Sequence, residues 1–456
     1  MKNSFFLVAS LCFALSARAQ QNLTLSQCRE MALQNNSEIK AAQSQTQSVE
    51  NTRKSYRANY FPSIDLNLIG LYSTANGELG YDISSMAAGL SGIGQVIAYN
   101  HPAFADKLSA VSLPDKIGID YEVGPMFIAG VSLQQPIYMG GKIKNATRIA
   151  SMGVEMAQQN ELLSKANVIK QTDEAYALVI KAKEMQKVAK RYNDVLVELL
   201  DNVSKAKNRG MKTNNDVLKV QVKLNESQLA MQKADNAVVL AKMNLCHVVG
   251  LDLNSDIDVD DEYPSIEARD GSVAQRPESQ ILQKKVDIAE AKTQVEKSAL
   301  RPEVGALLSY NYVNGFEVND DKLFNDGSFT ALIKVKVPLV NFGKNSNKVK
   351  AAQSSLEQTR LEQKNLTEQM ELEQQRAKNN LAEAQTELQV ADKSLAQASE
   401  NLRASQSQYA AGTESLSDVL EAQLLWQQAM ANVVNAKYQV YLSIVDLNRT
   451  SGTLVD

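Results

Sequence analysis

Two stretches 202 positions apart decide the reading: GMKTNNDVLKVQ at residues 210–221 and GTESLSDVLEAQ at residues 412–423. Each opens on a glycine, which supplies the left-handed backbone that ends one helix before the chain turns back. Each then offers an N-cap, Thr213 or Ser415, for a returning helix, followed by the same Asp-Val-Leu and Gln. Upstream of both, 67 residues run without proline, Lys142 to Asn208 and Lys344 to Ala410. At 1.5 Å per residue such a helix is a rod of about 100 Å. In the second rod Leu381, Leu388, Leu395 and Leu402 recur every seven residues, with Ala384, Ala391 and Ala398 three after the first three of them. That is a narrow coiled-coil seam, and Gln, Asn, Ser and Thr cover much of the remaining surface.

The same offset of 202 aligns Pro136 with Pro338, Gly141-Lys142 with Gly343-Lys344, Ala234 with Ala436, and Gly250 with Gly452. Farther upstream, Glu38 with Glu278 and Pro62 with Pro302 keep an offset of 240, so the first copy carries 38 extra residues between Pro62 and Pro136. The chain therefore reads as two copies of one unit, residues 20–252 and 276–456, joined by an acidic linker at 253–275. Each copy runs helix, strand, loop, strand, very long helix, sharp turn, long helix. The strands are expected near 63–73, 125–136, 303–313 and 328–338. They alternate apolar and mostly polar residues, as in Ile64, Leu66, Leu68 and Tyr72 against Asp65 and Asn67, or Ile333, Val335 and Val337 against Lys334 and Lys336. Aromatics gather at the strand ends, Tyr60, Phe61, Tyr138 and Phe342 at one and Tyr72, Phe127, Tyr310, Tyr312 and Phe329 at the other. Strands of this length with aromatic ends suit an outer-membrane barrel. Four strands cannot close one, since about eight are needed, so the sheet must be completed by other subunits. Three chains would give twelve strands around a water-filled lumen. The extra residues, within 75–120, read as an extended external loop, with His101-Pro102 as a turn.

Residues 1–19 form a secretory leader: Lys2, an apolar run from Phe5 to Leu15, and Ser16-Ala17-Arg18-Ala19 before a cut at Gln20. Too little apolar sequence precedes Cys12 for a lipoprotein, so no lipid anchor is expected. No later stretch is long and apolar enough for a membrane helix. The composition is that of a folded chain: 44% hydrophobic, 22% charged and 9 prolines in 456 residues. The net charge of −4 gives no electrostatic case for nucleic acid. With 2 His, 3 Cys and no P-loop, HExxH or GxSxG motif, no catalytic residue, cofactor or metal site is expected.

In sum these features resemble the TolC-type outer-membrane efflux proteins. The resemblance rests on Leu23-Thr24-Leu25 with Asn35 and Glu38, on Leu133-Gln134-Gln135-Pro136-Ile137-Tyr138 with Gly140-Gly141, on Tyr409 with Gly412 through Leu420, and on Gly452. It spans essentially the whole mature chain. Two positions depart from the family pattern: Thr413 stands where an apolar residue often follows the tip glycine, and Ser37 where proline is common, whereas Pro277 keeps it. The resemblance implies an α+β membrane protein in the outer membrane. Its long α-helical coiled-coil barrel would lie in the periplasm, with four strands per chain in a shared 12-stranded trimeric β-barrel. It implies a homotrimer held in outer-membrane lipid, docking to a periplasmic adaptor and an inner-membrane pump as the exit duct of a tripartite efflux or type I secretion system. It also implies that the helix-hairpin tips meet the adaptor, here Arg209, Gly210, Met211, Lys212 and Thr213, and Ala411, Gly412, Thr413, Glu414 and Ser415. A periplasmic coiled-coil scaffold or adaptor without a pore is the competing reading. It explains the heptads and the leader but not four matched strands.

Three other groups are weighed against plainer roles. Asp194, Glu198, Asp201, Asp392 and Glu400 precede the tips, where a threefold carboxylate ring would constrict a tunnel and attract cations; the alternative is that they face bulk water. Cys246-His247 reads as helix packing, because a structural metal site needs more ligands. Cys28 and Cys246 are candidates for a disulfide, which sequence cannot decide. Asp256, Asp258, Asp260, Asp261 and Glu262 lack the glycine and distal glutamate of a calcium loop, and read as a solvated linker.

Overall fold

The computed structural model describes residues 21–100, 116–318, 321–322 and 327–454; the leader and the His101-Pro102 turn lie outside the described residues. In chain order the elements are β1 (Gln21–Leu23), α1 (Leu25–Asn35), α2 (Ser37–Ala58), β2 (Ser63–Leu71), β3 (Ala75–Asp82), α3 (Ser84–Asn100), β4 (Lys116–Met139), α4 (Lys142–Asn208), α5 (Asn214–Val249), β5 (Ile257–Val259), α6 (Pro277–Ser298), β6 (Glu303–Val318), β7 (Asp321–Lys322), β8 (Gly327–Lys336), α7 (Lys344–Ala411) and α8 (Leu416–Thr450). Among the described residues no helix is long and apolar enough to cross a membrane.

The chain divides into two compact units. The first comprises residues through Arg53, Arg148–Glu290 and Gln353 onward. Its main core joins α1, α4, α5, β1 and β5 around Tyr176, Ile180, Leu245, Ile257 and Val259, all nearly or fully buried. Both Cys28 and Cys246 lie in this core as free thiols, and burial pushes the Cys28 thiol up to about 12. The heptad of α7 packs on α8: Ala377 and Leu381 meet Leu447, and Ala391 with Leu388 and Leu395 meets Val433 and Ala436. Small alanines at these positions let the helix axes approach closely, as the seam predicted.

One polar contact inside this unit was invisible in the sequence. Arg29 grips Asp173 through two hydrogen bonds of 2.7 and 2.6 Å across 144 residues, and the carboxylate is wholly buried. Burial pushes the Asp173 carboxyl up, against the pull of the guanidinium. The acidic linker also departs from expectation. Its strand is docked, β5 pairing in parallel with β1, while Asp256, Asp260, Asp261 and Glu262 stay exposed as expected and Asp258 is half-buried. Asp258 accepts from Lys183 and Lys242, and Asp261 from Lys183 and Lys187. The physical reason is that Ile257 and Val259 are buried in the core, which brings Asp258 between them and Asp261 just after them within reach of lysines on α4 and α5.

The second unit comprises Lys54–Thr147 and Ala291–Ala352. Its sheet has the order β2-β4-β6-β8, every neighbour antiparallel. All nine residues of β2 and all ten of β8 are exposed, so the two edge strands are bare on both faces. β4 begins nine residues before the expected strand, because its first half pairs with β3 from Ala75 opposite Val123 to Asp82 opposite Lys116. The extra residues near 75–120 thus hold a strand and the 17-residue helix α3 among their described part, not loop alone. β4 also continues through Pro136 to Met139, with a register shift between Pro136 and Tyr138 that accommodates the missing N–H. β8 stops at Lys336, two residues short of Pro338.

Candidate functional site

The two hairpin tips are built alike. Helix α4 ends in a left-handed Gly210 (φ 76°) and α7 in a left-handed Gly412 (φ 81°). The amide of Met211 donates to the Ala206 carbonyl, and that of its counterpart Thr413 to the Gln408 carbonyl, a six-to-one closure in both. A side chain on either glycine would meet nothing within 4 Å, so only backbone conformation demands glycine here. Thr213 and Ser415 then cap α5 and α8 reciprocally with Asp216 and Asp418. These hydrogen bonds hold both aspartates below the usual carboxylate range.

The structure brings the two tips together. Leu199, Val203 and Val220 of the first hairpin share one apolar cluster with Leu416 and Val419 of the second. Lys212 lies over the ring of Tyr409, 4.3 Å from its centre, a cation–π contact between the tips. Met211 is exposed, as are Arg209, Ala411 and Gly412. The tips differ in one respect: Glu414 Oε2, the Tyr409 hydroxyl and the Gln423 amide are buried without hydrogen-bond partners, and all belong to the second hairpin.

The five candidate carboxylates are all exposed. Asp194, Glu198 and Asp201 recur at i, i+4 and i+7 on α4 and so share one face. Asp201 is paired with Lys205, and Glu400 accepts two hydrogen bonds from Arg403, at 2.6 and 2.9 Å, which lowers its pKa. Along the sequence Asp194, Glu198 and Asp201 stand 16, 12 and 9 positions before Gly210, and Asp392 and Glu400 stand 20 and 12 before Gly412, so Glu198 and Glu400 occupy equivalent places in the two hairpins. Cys246 is buried and His247 exposed, so the adjacent pair faces different surroundings. Among the described residues no group of three or more His, Cys, Asp or Glu is placed to hold a metal ion.

Comparison with known proteins places this architecture. The model of the outer membrane efflux protein family matches residues 28–251 and 271–453. No curated protein matches the chain by sequence. Among solved structures, the outer membrane protein VceC of Vibrio cholerae is similar at a TM-score of 0.71 and 15% identity, over 94% of this chain and 96% of that one. The CmeC outer membrane channel of Campylobacter jejuni gives 0.73 and 17%, over 94% and 85%. The open MtrE outer membrane channel of Neisseria gonorrhoeae gives 0.71 and 14%, over 94% and 88%. At such identities the structures establish the shared fold, while the family match covers both long hairpins and all four main strands. The chain belongs to the outer membrane efflux protein family, a TolC-like channel protein of the outer membrane whose helices extend into the periplasm.

Proposed function

We propose that three copies close a 12-stranded barrel and act as a passive exit duct of a tripartite efflux or type I secretion system. The observation that carries this reading is the pair of bare edges, β2 and β8. Unpaired backbone groups are untenable in lipid, and the order β2-β4-β6-β8 leaves β8 antiparallel to a following β2. Three copies joined edge to edge therefore give an even, fully antiparallel closure. The separate family matches on the two halves, with the offset of 202, support descent from one duplicated unit. A scaffold without a pore gives the sheet no role.

In this reading the tips, Arg209–Thr213 and Ala411–Ser415, receive the periplasmic adaptor, which links the duct to an inner-membrane pump. Their support is the exposed Met211 and the shared cluster that holds both hairpins as one end. Asp194, Glu198, Asp201, Asp392 and Glu400 would form the cation-attracting constriction. Asp194, Glu198 and Asp392 carry it best, because Lys205 and Arg403 offset the other two. The duct performs no chemistry and holds no cofactor. Planar-bilayer recordings test this: the purified protein should give stable, cation-selective channels, and D194N/E198Q/D392N should lose selectivity. A protein that inserts without conducting refutes the duct, and unchanged selectivity in the variant refutes the constriction.

A further inference from the structure

The helix-side end of the sheet carries a charge pattern opposite to that of the chain. Four connections meet there: into β2, out of β4, into β6 and out of β8, as the register of Ser63 with Gln134 and of Glu303 with Met139 and Lys336 shows. Their segments, 54–62, 137–147, 292–303 and 337–352, hold ten Lys and Arg against two acids, Glu296 and Glu303, in a chain of net charge −4. Among the described residues no ion pair involves any of the ten. Lys142 and Lys144 open α4, and Lys344 and Lys348 open α7, with no acidic residue in either first turn. Cations there oppose the helix dipole, so local stability does not explain them.

An apolar fringe accompanies the cations. Leu339 is 89% and Phe342 99% exposed, and Val340, Phe61 and Ile137 of the same connections are exposed too. Phe342 is the single non-glycine residue with positive φ (47°) among the described residues. Its counterpart 202 positions earlier is Gly140 (φ 63°), where a side chain would strike the Ser298 carbonyl at 2.5 Å. Glycine would relieve the same turn at 342, so an exposed aromatic held there in strain marks a position with a role beyond the chain's own folding.

We infer that this rim is a belt for anionic phospholipid headgroups of the periplasmic leaflet, with Phe342 and Leu339 as wedges into the acyl layer. The inference rests on the outer-membrane placement of the sheet. The side follows from the helices, which leave the sheet at this end and extend into the periplasm. The charge is complementary to phosphate diesters, and the fringe is continuous with the bare strand β8.

The test uses the full-length protein in nanodiscs of phosphatidylcholine with a minor fraction of phosphatidylglycerol, scoring lipids retained after mild detergent extraction. A lysine near an anionic surface contributes roughly fivefold in partition. K344Q/K348Q/K350Q should therefore lose phosphatidylglycerol preference by at least about tenfold, with conductance retained. F342G relieves strain and so folds at least as well, yet should retain less of both lipids. Wild-type protein without phosphatidylglycerol preference overturns the inference. So does a triple variant that keeps its lipid preference but changes ion selectivity, which would place the lysines in the lumen. Failure of the duct reading appears separately, as wild-type protein that does not conduct.

Discussion

An arginine at Ile333 should separate the two faces of the edge strand β8. Ile333 and Leu332 are adjacent, and both are exposed in the single chain. In a strand they point to opposite sides. Ile333 shares its side with Val335 and Phe329, whereas Leu332 shares its side with Lys334, Lys336 and Thr330. In the proposed barrel the first side would face lipid and the second the lumen. A guanidinium near the bilayer midplane costs about 2–4 kcal/mol, which is at least about 30-fold in the folding equilibrium of each chain. Three copies raise this to on the order of 6–12 kcal/mol per assembly. In a water-filled lumen the same side chain stays hydrated, and the change should stay within about 0.5 kcal/mol, as at an ordinary wet surface. The assay is folding from urea into lipid vesicles, scored as the fraction that runs as the folded, unboiled species on a denaturing gel. I333R should abolish that species and L332R should keep it. Equal loss in both variants, or loss in L332R alone, refutes the assignment of faces.

Three further outcomes follow from particular residues. R29M strands the buried Asp173 carboxylate and should lower stability by about 3–5 kcal/mol at neutral pH, measured by chemical denaturation in detergent. Because the lone carboxyl's native pKa lies above its unfolded value, the deficit should shrink as pH falls toward about 4. Asp261 is held low by Lys183 and Lys187, and Asp258 is held low by the Val259 amide and two lysines although burial opposes it. Their contribution is complete above about pH 4 and is lost as pH falls through the lowered native values, so the thermal midpoint should drop below pH 4, and by less in K183M. Cys28, with its thiol pushed up to about 12, should resist maleimide in the folded protein at pH 8 and react on unfolding; rapid labelling of the native state would contradict the buried core.

Periodic and duplicated features were legible in the sequence because each is a local signal repeated many times. Leu381 to Leu402 fixed the α7 seam, Ile64 to Leu68 and Phe329 to Val335 fixed two strands, and Gly210 and Gly412 fixed the reversals. Contacts between distant, aperiodic residues were not legible. Nothing near Arg29 announces Asp173, and nothing in the linker announces that β5 pairs with β1 or that Asp258 and Asp261 meet Lys183. The stretch after Tyr72 lacks clear alternation, being rich in Gly, Ser and Ala, so β3 and α3 left no trace in a period count. At the tips, the turn chemistry was visible but the meeting of Lys212 with Tyr409 was not, since it depends on two hairpins packing side by side.

Four strands per chain are too few to close a barrel alone, so a membrane role for this sheet depends on other copies. The protein mass of the complex extracted from outer membranes in mild detergent tests it most directly. The account predicts the mass of three chains. A folded, membrane-extracted single chain would leave β2 and β8 unpaired in lipid and would contradict it.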